Sequence, residues 1–581
     1  MMSNDPPFGP VLCRPPTVAA FAAPLLDQDQ RRWPAPADQC HAAPVSTEMQ
    51  NPNTLSRRPA RRFWGWGAND DALLAVEEHA ILAAIAAHGV APPGPPPRLE
   101  EFQLAPPRLA PPPSLAAIFS ATPQDRLSHA GGKSYADLVR MWLRAPPGVP
   151  DWVAYPDTEQ SITDILDWAT GARVAVIPFG GGSSVVGGTE PPTGDAHAAT
   201  LSLDMERLGQ VREVNRTSRA ALIEAGAYGP DIEAALKPHG LTLRHFPQSF
   251  AYSTLGGWIA TRAGGHYATL LTHIDDLVEN TRMVTPSGII ETRRLPASGA
   301  GPAPDRLVLG SEGAFGVITA AWMRLQDRPK FRAGATARFA DFPAAIAALR
   351  ALAQSGLNPA NARLLDAAEA AAARVGDGTA PLLIVAFESA DHPVDPLRDR
   401  ALELLRDHAA TIEASGADAD NAAAWRGAFL RMPFYRDPMV GAGIIVDTFE
   451  SAITWDRFAD FYDTVKQRVA AAIHAATGRY AVISCRITHV YPDGAAPYFT
   501  YMVPGPSGGL PAALAAWRDI KRACNEAVLG QGGTITHHHA VGRDHRDGYA
   551  AETPPLFRDA LAAVKARLDP AGIMNPGVLL G

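Results

Sequence analysis

The chain has 581 residues, a formal charge of −8 and a pI near 6.1, and its length exceeds what one hydrophobic core normally serves, so two or three domains are expected. The acidic balance and the lack of a long basic block argue against nucleic acid as a partner. Four scattered cysteines (Cys13, Cys40, Cys485, Cys524) form no Cys-x-x-Cys pair, which points to a reducing compartment and no zinc ribbon. No apolar run approaches the roughly 18 residues of a bilayer span. The N-terminus lacks the basic-then-apolar order of a secretory signal, so a cytoplasmic protein, at most peripheral to a membrane, is expected.

Residues 1–58 are rich in Pro and Ala without periodicity and read as a disordered tail. An N-terminal helical segment, 59–145, opens on Arg61-Arg62-Phe63-Trp64-Gly65-Trp66-Gly67. It continues with a helix over Asp70–His88, whose stripe is Leu73, Leu74, Val76, Ile81, Leu82 and Ile85, and with a proline-dense connector over Pro92–Pro113. From 146 to 328 helices and strands alternate. Thr158 caps a helix with Ile162, Ile165, Leu166 and Ala169 on one face, and Gly171 is its expected end. A buried strand, Val174-Ala175-Val176-Ile177, then runs into Pro178-Phe179-Gly180-Gly181-Gly182-Ser183-Ser184, with Gly187-Gly188 beyond.

Three successive glycines let backbone N–H groups turn toward an anion, and the serines add neutral donors, a combination suited to a diphosphate. A plain turn is the alternative. Two familiar phosphate loops do not fit. The sixth position from Gly180 is Val185, not the glycine of a dinucleotide fingerprint, and Gly132-Lys133-Ser134 has Leu127 where a phosphate-loop ATPase needs its first glycine. Strands are expected over Leu201–Leu203 and Ala220–Glu224, a helix over Gly229–Leu236 and a hairpin around Val284–Ile290. Residues 329–530 alternate helix and strand signals as a separate domain. The segment 531–581 closes with a helix from Thr553-Pro554 to Asp569-Pro570, its stripe being Phe557, Leu561, Val564 and Leu568.

Three blocks occur in order: the glycine-rich loop, then Ser253-Thr254-Leu255-Gly256-Gly257, then Gly310-Ser311-Glu312-Gly313-Ala314-Phe315-Gly316-Val317-Ile318-Thr319. Together they resemble the FAD-binding domain of the vanillyl-alcohol oxidase (PCMH) type flavoproteins. The resemblance implies an α+β fold: a two-subdomain FAD-binding domain over 146–328 and an α/β cap domain over 329–530, with 531–581 returning to the flavin. It implies FAD contacts at Pro178, Gly180, Gly181, Gly182, Ser183, Ser184, Gly188, Ser253, Thr254, Gly257, Thr261, Glu312, Gly316 and Ile318. Some members tether their flavin through a histidine near the first loop. This chain has Phe179-Gly180-Gly181-Gly182-Ser183 there, so non-covalent FAD is expected.

Within that superfamily, Thr536-His537-His538-His539 is similar to the triple histidine of the alkyl-dihydroxyacetonephosphate synthases, the ether-lipid branch. The 2-hydroxyacid dehydrogenases carry Gly-Glu-His there instead. Trp64-Gly65-Trp66-Gly67, the arginine-bearing blocks around Arg363 and Arg436, and Ser484-Cys485-Arg486-Ile487-Thr488 before Tyr498 look like the same branch. Ala540 and Pro247-Gln248-Ser249 depart from its pattern. The resemblance implies exchange of the acyl chain of acyl-dihydroxyacetonephosphate for a fatty alcohol without net redox change. It implies Tyr498 as acid/base with His538 and His539 tuning it and holding the leaving carboxylate, His537 as a further catalytic residue, Arg436 on the substrate phosphate or carboxylate and Arg363 in support; no metal is expected, since no carboxylate sits beside the triplet. Unperturbed values of ~10 for tyrosine and ~6.5 for histidine bracket neutral pH.

On the residues alone, the arginines also read as surface groups and Tyr498 as core. The histidines also read as metal ligands, with Asp544 and His545 nearby, or as a strand whose alternation sends His538 away from His537 and His539. The alternative function is an FAD-linked oxidoreductase of a 2-hydroxy acid or alcohol. Lipid substrates are the expected partners, and peripheral membrane association and a homodimer are compatible with the sequence.

Overall fold

A computed structural model describes residues 55–373, 375–413 and 431–580. The expected tail falls outside the described residues up to 54, and its last four positions are already in contact with the FAD-binding region. Ser56 Oγ and the Arg57 N–H donate to Glu206 at 3.0 and 2.5 Å, and the Arg58 guanidinium lies 3.7 Å from the Tyr228 ring centre.

Two main sheets, with the short pair Leu241–Thr242 and Gln326–Asp327 beside them, build the region from 146 to 328. The first is ordered Phe119–Ser120, Trp152–Ala154, Ala199–Asp204, Val174–Phe179, the last three strands parallel. The helix Glu159–Ala172 covers it with Ile162, Ile165, Leu166 and Ala169, all buried, and Thr158 accepts the Ser161 N–H at 3.1 Å. The helix passes through Gly171 and stops at Arg173, whose left-handed backbone (φ 55°) turns the chain into Val174–Phe179. The second sheet is antiparallel, ordered Val211–Asn215, Ala220–Glu224, Val317–Arg324, Val278–Thr285, Gly288–Glu291. One apolar core joins both, with Val176, Leu201, Ile223, Ile259 and Met283 in it.

The cap is a larger antiparallel sheet. It runs Thr411–Ile412, Phe331–Arg338, Leu382–Ser389, Asn361–Leu365, Ile483–Val490, Gly494–Pro504, Ile444–Glu450, with Ile453–Thr454 also paired to Gly494–Pro504. Successive strand residues face opposite sides. Ala362, Leu364, Cys485, Ile487, Phe449 and Phe499 enter the core beneath the helices Phe342–Gln354, Phe458–Thr477 and Gly509–Gly530. The intervening Arg363, Arg486, Thr448 and Tyr498 therefore share the other face, which lines a cavity.

The N-terminal segment spans both halves. Its helix Tyr135–Trp142 joins the cap core, and the Trp66 N–H donates to Asp437 of the helical residues 431–441 at 2.8 Å. The helix expected over 70–88 covers Ala75–Ala87. Only part of its stripe is buried: Ile81 and Ile85 are inside, whereas Leu74 and Val76 are more than half exposed. The last helix, Pro555–Leu568, likewise buries no residue fully and exposes Phe557. Among the described residues no helix is long and apolar enough to cross a membrane.

The C-terminus returns to the glycine-rich strand. Val176 donates to Ile573 O at 2.8 Å, and Asn575 N–H donates back to Val176 O at 2.9 Å. The buried Asn575 side-chain amide donates to Gly188 O at 3.0 Å and Glu312 O at 2.7 Å, tying turns of the first and last blocks together. Asn575→Ala removes both bonds and leaves two carbonyls inside without them, so it should destabilise the protein by about 2 kcal/mol. Equilibrium urea unfolding checks this, and an unchanged midpoint contradicts it.

Candidate active site

A cavity of about 1000 Å³ runs from the glycine-rich loop to the open face of the cap sheet. The loop leaves the strand Val174–Phe179 at its C-terminal end, where a β-carbon on Gly181 would overlap the Tyr252 carbonyl and Gly182 takes a positive φ of 69°. Only glycine permits this approach, and it opens a concave cradle of the kind a diphosphate occupies. All fourteen positions for which the sequence implies FAD contacts, Pro178 through Ile318, border this cavity.

Several of the hydroxyls are committed within the protein. Ser253 Oγ accepts the Trp258 indole N–H at 2.7 Å and donates to Ser249 O, Thr261 Oγ donates to Gly257 O, and Ser184 Oγ accepts the Gly188 N–H. Thr254 caps the helix Leu255–Thr261. Their role toward a ligand is to shape its cradle. Glu312 accepts the N–H groups of Val541 at 2.8 Å and Gly542 at 2.7 Å, fastening the chain just after the histidines, and burial pushes its carboxyl up to about 7.

At the other end, cross-strand register places Tyr498 between Arg486 and Glu450. The Arg486 guanidinium lies 3.9 Å from the Tyr498 ring centre and donates to Glu369 at 2.7 Å, while the Tyr498 hydroxyl donates to Thr448 at 3.0 Å. Glu450, 3% exposed, gathers the histidine run. Its carboxylate accepts the backbone N–H groups of His537, His538 and His539 at 2.7–3.1 Å and the Thr536 hydroxyl at 2.6 Å. The run is therefore a turn wrapped on a carboxylate, and the alternation of a strand does not apply.

The rings of His538 and His539 border the cavity, 5.8 and 5.3 Å from the Tyr498 ring. His537 lies behind them, its Nδ1 3.1 Å from His538 Nδ1 and its Nε2 2.8 Å from the Tyr491 hydroxyl. Burial moves the groups apart: it raises Tyr498 above the usual tyrosine range and pushes His538 and His539 down to about 3. The tyrosine is thus a kept proton and the imidazoles are neutral, where unperturbed values would have had them bracket neutrality. Ring nitrogens of His489, His537 and His538 lie within 4.8 Å of one another, close enough to hold a metal ion, and this trio does not include Asp544 or His545.

Arg363, 2% exposed, stands beside Arg486, and burial lowers its pKa to about 9. Arg436, on the helical residues 431–441, donates to Lys133 O at 2.6 Å at the cavity's edge. Sequence reasoning missed Glu450, Arg486, His489 and Lys133 as site residues. Arg486 was legible as the polar position between Cys485 and Ile487, whereas Glu450 carried no signal because it acts on backbone far along the chain. From the Tyr498 end an apolar arm continues, lined by Ala80, Ile81 and Ala84 of the N-terminal helix and by Met439, Val446 and Met502.

Residues 150–293 match the family described as FAD binding domain, and 328–579 match FAD linked oxidases, C-terminal domain. An alkyldihydroxyacetonephosphate synthase of Trypanosoma brucei brucei is 30% identical over 483 residues, covering 78% of this chain and 77% of that one. The chain belongs to the alkyldihydroxyacetonephosphate synthase family. A synthase of this family from Dictyostelium discoideum is 28% identical over 78% of this chain and 77% of its own. A solved alkyldihydroxyacetonephosphate synthase structure superposes with a TM-score of 0.74 at 24% identity, over 89% of this chain and 98% of that one. As a family member the chain is an FAD-dependent enzyme, and its glycine cradle fits that cofactor.

The neutral histidines carry a pH signature. With His538 and His539 near 3 in the folded protein and ~6.5 when unfolded, the unfolded chain takes up protons first as pH falls. The stability they contribute is complete above about pH 6.5 and is lost on the way down toward 3. The urea midpoint should fall between about pH 7 and 5, and the double variant His538→Asn/His539→Asn should lose less over that interval. Equal losses in both proteins contradict the assignment.

Proposed function

We propose that the chain exchanges the acyl chain of acyl-dihydroxyacetonephosphate for a fatty alcohol, yielding the ether product and a free fatty acid with no net redox change. The observation that carries this reading is a single cavity joining a glycine cradle, a Tyr–His–His–Arg cluster and an apolar arm. A flavin, a polar three-carbon headgroup and a fatty chain would each meet matching chemistry along it. The names of the relatives spanning three quarters of the chain support the same reading and give less support to a 2-hydroxy acid oxidoreductase.

FAD would rest its diphosphate on Gly180–Ser184, non-covalently, with its ring toward the cap sheet. When bound it supplies an electron-poor ring beside the carbon that loses its carboxylate. The Tyr498 hydroxyl, kept protonated by burial, donates toward the leaving carboxylate, and the neutral His538 and His539 offer lone pairs to the proton that must move at that carbon. Arg486 and Arg363 hold the oxyanion groups near Tyr498, and Arg436 binds the substrate phosphate. Burial of Tyr498, Arg363 and Arg486 limits solvent access to the reacting groups and favours exchange over hydrolysis. The fatty chain lies in the arm lined by Ile81, Met439 and Met502. Exposed Leu74 and Val76 beside it support a position at a membrane surface, where both lipids reside.

Holoprotein mixed with a long-chain acyl-dihydroxyacetonephosphate and a fatty alcohol should form ether and free fatty acid in equal amounts with no electron acceptor. Flavin bleaching by lactate-like acids with no ether formed would overturn the reading. Tyr498→Phe should abolish exchange and retain the yellow colour, and full turnover in that variant removes the tyrosine from the mechanism. Acid precipitation should release FAD to the supernatant, whereas colour kept in the pellet contradicts non-covalent binding.

A further inference from the structure

The Gly132-Lys133-Ser134 stretch, which fails as a phosphate-loop motif, is folded against the glycine cradle. The Lys133 N–H donates to Ser184 O at 2.6 Å, so the two segments are joined backbone to backbone. Ser134 caps the helix Tyr135–Trp142, accepting the Asp137 N–H at 3.0 Å, and this fixes the direction in which Lys133 leaves the chain. Its side chain borders the cavity together with Gly181, Gly182 and Ser183 on one side and Arg436 on the other. Its ammonium donates to Arg62 O at 2.9 Å and makes no ion pair among the described residues.

Charge is what singles this lysine out. The cradle offers neutral donors, backbone N–H groups and Ser183, to a ligand carrying about two negative charges. Two other cations against the loop are committed: Arg61 pairs with the fully buried Asp204 at 2.6 Å and also reaches Gly180 O and the Tyr228 hydroxyl, and Arg543 donates to Glu190 O and Pro576 O. Asp437, the acid nearest in the cap, spends one carboxylate oxygen on the Trp66 N–H and forms no ion pair with Lys133. A half-buried ammonium with spare N–H groups and no carboxylate within ion-pair distance is costly to hold unless an anion completes it.

We propose that the Lys133 ammonium is a phosphate-oxygen ligand of this cavity, adding the cationic contact that the glycine cradle lacks. The proposal rests on the reading that the cradle takes a diphosphate. Two phosphates are within the cavity's chemistry, that of the bound dinucleotide and that of the substrate headgroup, and they part in the experiment.

Apoprotein of wild type, Lys133→Met and Lys133→Arg is titrated with FAD and with riboflavin by fluorescence. KM for acyl-dihydroxyacetonephosphate is then measured on each protein saturated with FAD. Thermal unfolding of the three apoproteins reports whether each is folded. If the dinucleotide is the source, Lys133→Met weakens FAD binding by roughly 10- to 100-fold and leaves riboflavin binding unchanged, and Lys133→Arg restores most of the loss. If the substrate is the source, FAD binding is unchanged and KM rises by a similar factor at nearly constant kcat. Unchanged FAD affinity together with unchanged KM in folded Lys133→Met overturns the proposal. Riboflavin binding as tight as FAD in wild type instead overturns the diphosphate reading of the cradle, and an unmoved KM in the same proteins then overturns the lysine's role with it.

Discussion

A single buried carboxylate, Glu450, couples the two stretches that carry the chemistry. It ends the strand Ile444–Glu450 directly opposite Tyr498, and three successive backbone N–H groups of the histidine run converge on it. Such charge-assisted bonds to one anion are the strong class of hydrogen bond, and a fixed acceptor leaves the turn little freedom. Without that acceptor, residues 536–539 would have four polar groups to satisfy at the wall of a cavity. The position of two imidazoles relative to a phenol from another strand thus depends on one side chain that does not itself border the cavity.

The surrounding protein then sets protonation by excluding water. Tyr498 and the two cavity histidines are all held in their neutral forms, the tyrosine by a raised pKa and the histidines by lowered ones, with burial as the largest cause in each case. Positive charge comes from the guanidinium groups at this wall, and Arg363 stays cationic at neutral pH even though burial brings it to about 9. Neutral acid and base beside fixed cations suit a reaction in which a carboxylate departs and an alcohol arrives. The same arrangement is poorly suited to holding a proton permanently on imidazole.

Much of this was legible in the sequence, for reasons that are local. The glycine run, the Thr158 cap, the strand Val174–Phe179 and the helix Gly229–Leu236 are dictated by residues within a few positions of one another. Tyr498, His538 and His539 could be named because their blocks resemble a known pattern. What escaped depends on long-range contact. Arg173 takes the left-handed position that Gly171 was expected to end before, because the next strand requires the turn two residues later. The stripe of the N-terminal helix is half exposed, since one side borders a cavity and the other only solvent. Glu450 and Lys133 act on segments 87 and 51 positions away, by way of backbone groups that leave no trace in side-chain pattern.

The claim that burial keeps the cavity histidines uncharged is open to direct observation. Histidine-selective nitrogen NMR of the FAD-loaded enzyme between about pH 5 and 8 reads the charge state of each ring. His538 and His539, assigned by single replacement, should show the neutral-imidazole pattern across that whole range. A titration of either ring with a midpoint near 6.5 would contradict the account.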